Sequence, residues 1–326
     1  MMEAQHFPAD YDGIYAGAPG INLPQVAVTR IWRETIMQET GTEVPMCKFA
    51  AATGAAVAAC DKIDGVEDGV IESPLLCKFD ARQFIGRSTD GCGTITAAEA
   101  EVIAKVWEGP RRRDGAFLWH GPPRGADFGS ILGLVNDETR IVPRPGRVDS
   151  EWFRFFLHQN PDWQLPRLTR ARFEEYWDQS TEQFGAVLSA VNPDLSTFRD
   201  RGGKLIMWHG WADHSTPAQG SIDYYQRVQQ RMGGADETAK FVRLFLAPGA
   251  GHCGGGPGRV PDQRLDVLLK WVEDGIAPET LNAMNWSETQ QQPIRLRPVC
   301  RYPLVARYNG QGSTADGANF ECRARF

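Results

Sequence analysis

The strongest constraint on this chain is a regular alternation of apolar strands and amphipathic helices towards its C-terminal end. Apolar runs predict one strand at Lys204 to Trp208 and another at Phe241 to Pro248. A helix is predicted after each strand, from Pro217 to Met232 and from Gln263 to Gly275. Because strand–helix repeats of this kind pack as a mostly parallel sheet covered by helices, we expect an α/β fold.

The remainder of the chain is less regular. Its first residues, MMEAQHFP, have the pattern of a helix, and DGIYAGAPG follows as a short buried strand. Helical stretches from Ala51 to Ala59, Ala97 to Trp107 and Arg172 to Asn192 then alternate with long loops rich in Gly, Pro and Arg. Such loops are uncommon in a compact sheet protein and indicate an insertion. The tail from Pro293 to Phe326 is predicted to be loop and short strand.

Charge and hydropathy argue against two classes of partner. The 326 residues carry 35 Lys and Arg against 41 Asp and Glu, for a net charge of -6, and no basic block that would follow a phosphate backbone. We therefore expect no nucleic-acid partner. No apolar run approaches the roughly 20 residues that span a bilayer, so no membrane association is expected either. The first residues lack a signal-peptide pattern, which taken alone indicates a cytosolic protein.

The cysteines indicate an oxidising compartment instead. All seven lie in short polar segments, a placement that favours disulfides. None of their spacings forms the paired CxxC motifs of a structural zinc site. An odd number leaves at least one thiol without a partner inside the chain. The seven are Cys47, Cys60, Cys77, Cys92, Cys253, Cys300 and Cys322.

Two residues with acid–base chemistry follow the two C-terminal strands. Asp213 ends the segment KLIMWHGWAD, and His252 lies in a glycine-rich loop within FVRLFLAPGAGHC. Functional groups of open α/β sheets gather at the carboxyl ends of strands, and acid before histidine is the order found in α/β hydrolases. There the imidazole takes a proton from the nucleophile while the carboxylate fixes its tautomer. By spacing alone, turn capping is the competing interpretation for both side chains.

Two further histidines flank the acid and are rival bases. His209 and His214 are so close to Asp213 in sequence that neither can easily face it across a cleft. We therefore interpret both as parts of the local structure.

A second group of chemically suggestive residues lies between Cys60 and Cys77, in the segment CDKIDGVEDGVIESPLLC. Three aspartates fall within eight residues, and two glycines prevent a continuous helix and allow the loop to wrap around a hard cation. Calcium fits best, although the spacing is not that of an EF-hand, so backbone carbonyls would complete the shell. The alternative is a solvated acidic turn. The expected ligands are Asp61, Asp64 and Asp68 through carboxylates and Val66 and Val70 through carbonyls.

Three segments resemble those of one known family. The strand and acid segment KLIMWHGWADHSTPAQGSIDYY, the histidine loop APGAGHCGGGPG and the acidic loop CDKIDGVEDGV are similar to motifs of the tannase and feruloyl esterase family. The resemblance covers essentially the whole chain. It implies an α/β hydrolase fold with a large inserted lid that holds a calcium ion. We therefore predict a core fragment at 1–21, a lid with the calcium loop at 22–195, and the remaining core at 196–326.

The resemblance also implies roles for individual residues. Asp213 becomes the acid of a Ser-Asp-His triad and His252 its general base. The calcium ligands are those of the acidic loop, namely Asp61, Asp64, Val66, Asp68 and Val70. Structural disulfides are implied for Cys60 with Cys77 and for Cys300 with Cys322.

The chain departs from the family pattern at two places. A Gly-Cys-Ser-x-Gly-Gly-Arg motif should precede the MMEAQHFP helix, so the nucleophilic serine and the disulfide partner of Cys253 are expected upstream of Met1. Residues 1–326 are then expected to be inactive, because the oxyanion-hole donors are missing with the serine. The second departure is Gly86, where the family often has a cysteine that would pair with Cys92. Cys47, Cys92 and Cys253 are therefore candidate free thiols.

The sequence thus favours a carboxylic ester hydrolase that acts on aromatic acid esters, needs no organic cofactor and works in a secreted or periplasmic setting. Trp152, Phe155, Phe156 and Trp163 could stack on an aromatic acid, although aromatics at such spacing are often core residues. One alternative is a non-catalytic calcium-stabilised remnant, or one half of a two-chain assembly. Another is a cytosolic hydrolase with reduced thiols.

Overall fold

The structure is a computed structural model that describes residues 1–89, 91–128, 134–137, 140–143, 151–262, 264–287 and 292–324. Its helices are α1 Met2–His6, α2 Leu23–Thr29, α3 Trp32–Thr40, α4 Met46–Cys60, α5 Ala97–Glu108, α6 Arg170–Leu188, α7 Ser196–Asp200, α8 Gln219–Arg231, α9 Ala235–Ala239 and α10 Arg264–Glu273. Shorter helical turns lie at Asp61–Asp64, Pro74–Leu76, Ala81–Phe84, Trp152–Leu157 and Gly317–Asn319.

The strands divide into one parallel sheet and several two-stranded antiparallel ribbons. They are β1 Gly13–Gly17, β2 Ser88–Thr89, β3 Gly93–Thr94, β4 Leu134–Asp137, β5 Arg140–Pro143, β6 Lys204–Gly210, β7 Val242–Ala247, β8 Thr280–Ser287, β9 Gln292–Cys300, β10 Val305–Tyr308 and β11 Phe320–Arg323. No helix among these described parts of the chain is long and apolar enough to cross a bilayer.

The parallel sheet has the strand order β1–β6–β7, with β6 in the centre. Every residue of β7 and all but the first of β6 are buried, as expected for strands covered on both faces. Leu205 and Met207 point into one hydrophobic cluster, which contains the buried face of α8. Ile206 and Trp208 point into another, which contains residues of α10. The period-2 alternation of side chains along β6 therefore builds the two helix-covered faces of an α/β core.

A separate hydrophobic cluster holds the helices between β1 and β6 together. It joins α2, α3, α4, α5 and α6 through buried side chains such as Ile36, Phe49, Ile103 and Phe173. The start of α5 is stabilised by a capping box in which Thr96 and Glu99 each accept a hydrogen bond from the other's backbone. Glu99 also forms a buried ion pair with Lys48 of α4, at 2.7 Å. This region therefore has a core of its own beside the sheet.

Most predicted elements are present, with shifted boundaries. The helix predicted at Ala51 to Ala59 begins at Met46, and the one predicted at Arg172 to Asn192 runs from Arg170 to Leu188. In the tail, Val305–Tyr308 and Phe320–Arg323 are short strands as predicted, but Gln292–Cys300 is a longer strand that pairs with Thr280–Ser287 as an antiparallel hairpin. The sequence did not predict this hairpin because its strands contain polar and proline residues. The division into segments 1–21, 22–195 and 196–326 stays a prediction.

Three disulfides are formed, and one prediction about the thiols was wrong. Cys60 pairs with Cys77 and Cys300 pairs with Cys322, as the family resemblance implied. Cys47 and Cys92, which we expected to be free, pair with each other. The fold packs the first turn of α4 against the β2–β3 ribbon and brings their Cα atoms to 6.2 Å, although they are 45 residues apart in sequence. Cys253 is the free, exposed cysteine, as predicted.

Candidate active site

The two predicted acid–base residues lie beyond the ends of neighbouring strands. Gly210 at the end of β6 lies directly opposite Ala247 at the end of β7. Asp213 lies three residues after Gly210, and His252 lies five residues after Ala247. Because the strands are parallel, both loops emerge at the same edge of the sheet, where open α/β sheets carry their functional groups.

The loops bring the two side chains into direct contact. Nδ1 of His252 lies 2.8 Å from Oδ2 of Asp213. A carboxylate oxygen can only accept, so the imidazole donates from Nδ1 and its Nε2 is left with a lone pair when the ring is neutral. The hydrogen bond with Asp213 raises the pKa of His252, although burial and the charge of Arg30 act in the opposite direction. The geometry is that of a general base oriented by an acid.

The carboxylate of Asp213 is fully buried, and both of its oxygens accept hydrogen bonds. Oδ1 accepts from the backbone amides of Ser215 and Thr216, both at 2.8 Å. Oδ2 accepts from His252 and also faces Nε2 of His209, at 3.0 Å. Burial alone would favour the neutral acid, but the hydrogen bonds from the two histidines hold the pKa of Asp213 well below its usual range. The acid therefore stays ionised.

His209 is the residue whose contact with the acid we did not predict. We interpreted it as local structure, and it is indeed fully buried at the end of β6, but it reaches Asp213 within the same turn. The signal in the sequence was the four-residue separation of the two, at a point where the strand ends and the chain reverses. His214, in contrast, is half-buried and bonds neither acid oxygen, although burial lowers its pKa.

The histidine loop needs glycine where the chain passes close to itself. A Cβ on Gly210 would lie 2.2 Å from the carbonyl oxygen of Ala250, and one on Gly258 would lie 1.8 Å from that of Pro248. The same loop is held to the end of β6 by a bond of 2.9 Å from the amide of Ala212 to the carbonyl of Ala250. His252 is therefore carried on a loop whose backbone is fixed against the loop that carries Asp213.

A shallow cleft lies beside the loop that carries Asp213. Its walls come from the cluster of helices and from the sheet region, and they include Arg30, Trp32, Phe128 and His214. Arg30 crosses between the two regions and donates to the hydroxyl of Ser215, at 3.1 Å. The cleft therefore lies between the helical cluster and the loop that carries Asp213.

The four aromatic residues considered for stacking on a substrate pack mainly among themselves and their neighbours. Trp152 is buried, stacks on Phe156 at 4.5 Å and donates to Ser180. Trp163 stacks on Phe153 and His158. Phe155 is about half exposed. None of the four lines the cleft beside Asp213, so a role in substrate binding stays a prediction.

The acidic loop is closed by its own backbone. The two oxygens of Asp61 accept from the amides of Asp68 and Gly69, and Asp64 accepts from the amide of Val66 at 3.0 Å. The Asp68 carboxylate likewise accepts from the amide of Val70. These are turn-type hydrogen bonds that hold each carboxylate close to its own segment. Within the described residues, no three His, Cys, Asp or Glu side chains are arranged to hold a metal ion.

Two residues that we did not predict complete this loop. Arg297 of β9 donates to Asp68 at 2.5 Å and to Asp64 at 3.4 Å. Glu72 is buried and accepts from the amide of Ala306, but its Oε2 has no hydrogen-bond donor. Burial raises the pKa of Glu72 well above its usual value, despite the nearby charge of Arg297. The sequence offered no signal for either contact, because Arg297 of β9 and Ala306 of β10 lie more than 220 residues away from their partners.

Comparison with known proteins places these features in a family. The profile described as "Tannase and feruloyl esterase" matches residues 1–323. A probable feruloyl esterase of Arthroderma benhamiae is 41% identical over 100% of this chain and 62% of its own length. The mono(2-hydroxyethyl) terephthalate hydrolase of Piscinibacter sakaiensis is 32% identical over 99% of this chain and 61% of its own length.

Solved structures have the same fold. An esterase from Aspergillus oryzae matches with a TM-score of 0.83 at 25% identity and covers 98% of this chain and 66% of its own. A tannin acyl hydrolase from Aspergillus niger matches with a TM-score of 0.85 at 24% identity and covers 98% and 61%. The chain thus has an α/β-hydrolase-type fold and spans about three-fifths of the length of these curated relatives. It belongs to the tannase and feruloyl esterase family.

Proposed function

We propose that this chain carries the acid and the base of a carboxylic ester hydrolase that acts on esters of aromatic acids. The observation that carries the proposal is the 2.8 Å hydrogen bond between Asp213 and Nδ1 of His252, at the ends of adjacent parallel strands. The names of the relatives, which include feruloyl and terephthalate ester hydrolases, support the substrate class.

In the proposed reaction, Nε2 of His252 accepts the proton of a serine hydroxyl while the serine oxygen attacks the ester carbonyl carbon. The same proton then passes to the leaving alcohol as the ester C–O bond breaks, and an acyl-enzyme remains. Water attacks the acyl-enzyme by the same route, with His252 again as base. Asp213 stays ionised throughout and stabilises the imidazolium.

We propose that the serine belongs to a part of the protein outside residues 1–326. Among the described residues, no serine hydroxyl bonds the ring of His252, whose contact is made through Nδ1 to Asp213. Residues 1–326 alone should then be inactive, because the nucleophile and the donors that stabilise the oxyanion are both lacking. A fluorophosphonate probe should leave this polypeptide unlabelled, and stoichiometric labelling would contradict the proposed position of the serine.

The acidic loop is proposed to hold a structural calcium ion. The donor chemistry fits, since Asp61, Asp64 and Asp68 with the carbonyls of Val66 and Val70 offer only oxygen, which Ca²⁺ prefers. Oε2 of Glu72 beside them has no hydrogen-bond donor and only a long ion pair with Arg297, at 3.9 Å, which supports a further positive charge at this place. Bound calcium would supply that charge and brace the loop; it has no role in the reaction.

The proposed setting is secreted or periplasmic, with a small aromatic ester as the partner molecule. Three disulfides support an oxidising compartment and count against a cytosolic hydrolase with reduced thiols. In unfolded, unreduced protein, thiol titration should find one reactive cysteine, Cys253, rather than seven.

The decisive experiment reads the coding DNA upstream of Met1 and expresses the longer polypeptide if the reading frame continues. An in-frame Gly-Cys-Ser-x-Gly-Gly segment, with hydrolysis of methyl gallate, methyl ferulate or a terephthalate monoester, would support the proposal. In that polypeptide, Asp213→Asn should lower kcat by about 10⁴-fold because the imidazole loses its tautomer. The matched control is Asp200→Asn, at an exposed acid of α7. Stop codons directly upstream would favour a non-catalytic remnant.

A further inference from the structure

The second imidazole on Asp213 is a buried titratable group that the proposed reaction does not use. His209 is 0% exposed, and each of its ring nitrogens has a partner. Nε2 lies 3.0 Å from Oδ2 of Asp213 and 2.7 Å from the carbonyl oxygen of Thr216. Nδ1 lies 2.8 Å from the hydroxyl of Ser221, in the first turn of α8.

These contacts determine which nitrogen of His209 carries hydrogen. Both neighbours of Nε2 are oxygen atoms that can only accept, so Nε2 must be the protonated nitrogen and its hydrogen is shared between them. The hydroxyl of Ser221 can donate, and it satisfies Nδ1 as an acceptor in the neutral ring. His209 therefore donates from Nε2 towards the acid.

The bond from His209 falls on the oxygen that also receives the bond from His252. With the amides of Ser215 and Thr216 on Oδ1, four donors occupy the four lone-pair sites of the carboxylate. A carboxylate held by donors on both oxygens cannot rotate about its terminal bond without breaking several of them. Oδ2 therefore keeps one position and presents it to Nδ1 of His252.

We propose that His209 is a positioning residue, which orients Asp213 and thereby holds His252 in the tautomer that carries hydrogen on Nδ1. The importance of this role for catalysis rests on the proposed function. The effect on the tautomer of His252 does not, because it can be measured without turnover. A purely structural role for His209 would leave that tautomer unchanged in any variant that still folds.

Two amide substitutions separate these roles. In His209→Gln the amide nitrogen reaches the place of Nε2 and can still donate to Asp213. In His209→Asn the shorter amide reaches only the place of Nδ1 and can still contact Ser221. Both variants introduce one polar amide at the same buried position, so they have similar folding costs and differ in the donor to the acid.

The readout is ¹⁵N NMR of histidine-labelled protein at a pH where His252 is neutral, with assignment by His252→Gln. We expect the ratio of the Nδ1–H to the Nε2–H form of His252 to fall about 10- to 150-fold in His209→Asn, the range for loss of one hydrogen bond to a charged group. His209→Gln should keep most of the original ratio. His120→Asn, which removes another histidine that bonds an aspartate, is the control and should change nothing.

An unchanged tautomer ratio in folded His209→Asn would overturn the proposal. If that variant does not fold, His209→Gln still tests it, because a ratio as low as that of Asp213→Asn would show that donation from this position is not enough. Asp213→Asn also separates the two proposals. If Asp213→Asn leaves the tautomer of His252 unchanged, Asp213 does not orient His252. That result would contradict the proposed function, whatever the role of His209.

Discussion

Two buried carboxylates in this molecule have opposite pKa shifts. Asp213, between the strand ends, receives four hydrogen-bond donors and its pKa is lowered. Glu72, beside the acidic loop, is equally buried, but one of its oxygens has no donor and its pKa is raised. Burial is common to both, so the number of donors decides whether the buried acid is ionised. The hydrogen bonds of Asp213 are complete, whereas Glu72 has only the long ion pair with Arg297 to balance its charge.

The largest effect that would test this comparison is expected at the strand ends. Asp213→Ala removes an acceptor from His209, His252 and two backbone amides, and leaves buried donors without partners. We expect the free energy of unfolding to fall by about 3–5 kcal/mol in a urea titration at pH 7. Asp200→Ala, at an exposed acid, should change it by less than about 0.5 kcal/mol. An equal decrease in the free energy of unfolding of the two variants would show that the donors around Asp213 do not contribute to stability.

The next effect concerns the bridge that flanks the acidic loop. Replacing both Cys60 and Cys77 by Ser opens a crosslink of 17 residues, which should cost about 3 kcal/mol in chain entropy. If the loop binds calcium, the increase in Tm on adding CaCl₂ should also become smaller. The same replacement of Cys300 and Cys322 spans 22 residues and is the control, since it should leave the calcium response unchanged. No calcium response in the unaltered chain would contradict the proposed metal site.

The smallest effect is a pH-dependent gain at Glu72. Its folded pKa is raised, so keeping it buried costs stability that grows as pH rises above the unfolded value near 4.3. Glu72→Gln should therefore stabilise the protein by about 1–3 kcal/mol at pH 7 and by nearly nothing at pH 4. Denaturant titrations at the two pH values measure this difference. A loss of stability at pH 7 would mean that Glu72 is needed as an anion.

The two partners of the contact between His252 and Asp213 contribute stability with opposite pH dependence. Because the folded pKa of His252 is raised, its bond to Asp213 stabilises the protein fully below about pH 6.5, and this contribution is lost as pH rises through the folded pKa. Because the folded pKa of Asp213 is lowered, its contribution is present above about pH 4 and is lost as pH falls through its folded pKa. The pair therefore stabilises the fold most between these limits.

Much of the fold was predictable because its signals are local. The apolar runs of β6 and β7 and the amphipathic pattern of α8 and α10 fall within a few residues of the predicted positions. The acid and the histidine were also predictable, because strand order and loop position follow from the same pattern. The β8–β9 hairpin was missed, since its strands hold polar and proline residues and depend on pairing with each other.

By itself, the sequence determined the strand–helix alternation, the residues at the strand ends and the composition of the acidic loop, because each depends only on residues that are adjacent in the chain. Only the tertiary structure decided the pairing of Cys47 with Cys92, the contact of Arg297 with the acidic loop and the second imidazole on Asp213. The first two join residues far apart in the chain, and the third depends on how sharply the chain turns after β6. The two long-range contacts arise from the path of the whole backbone, which no local pattern encodes.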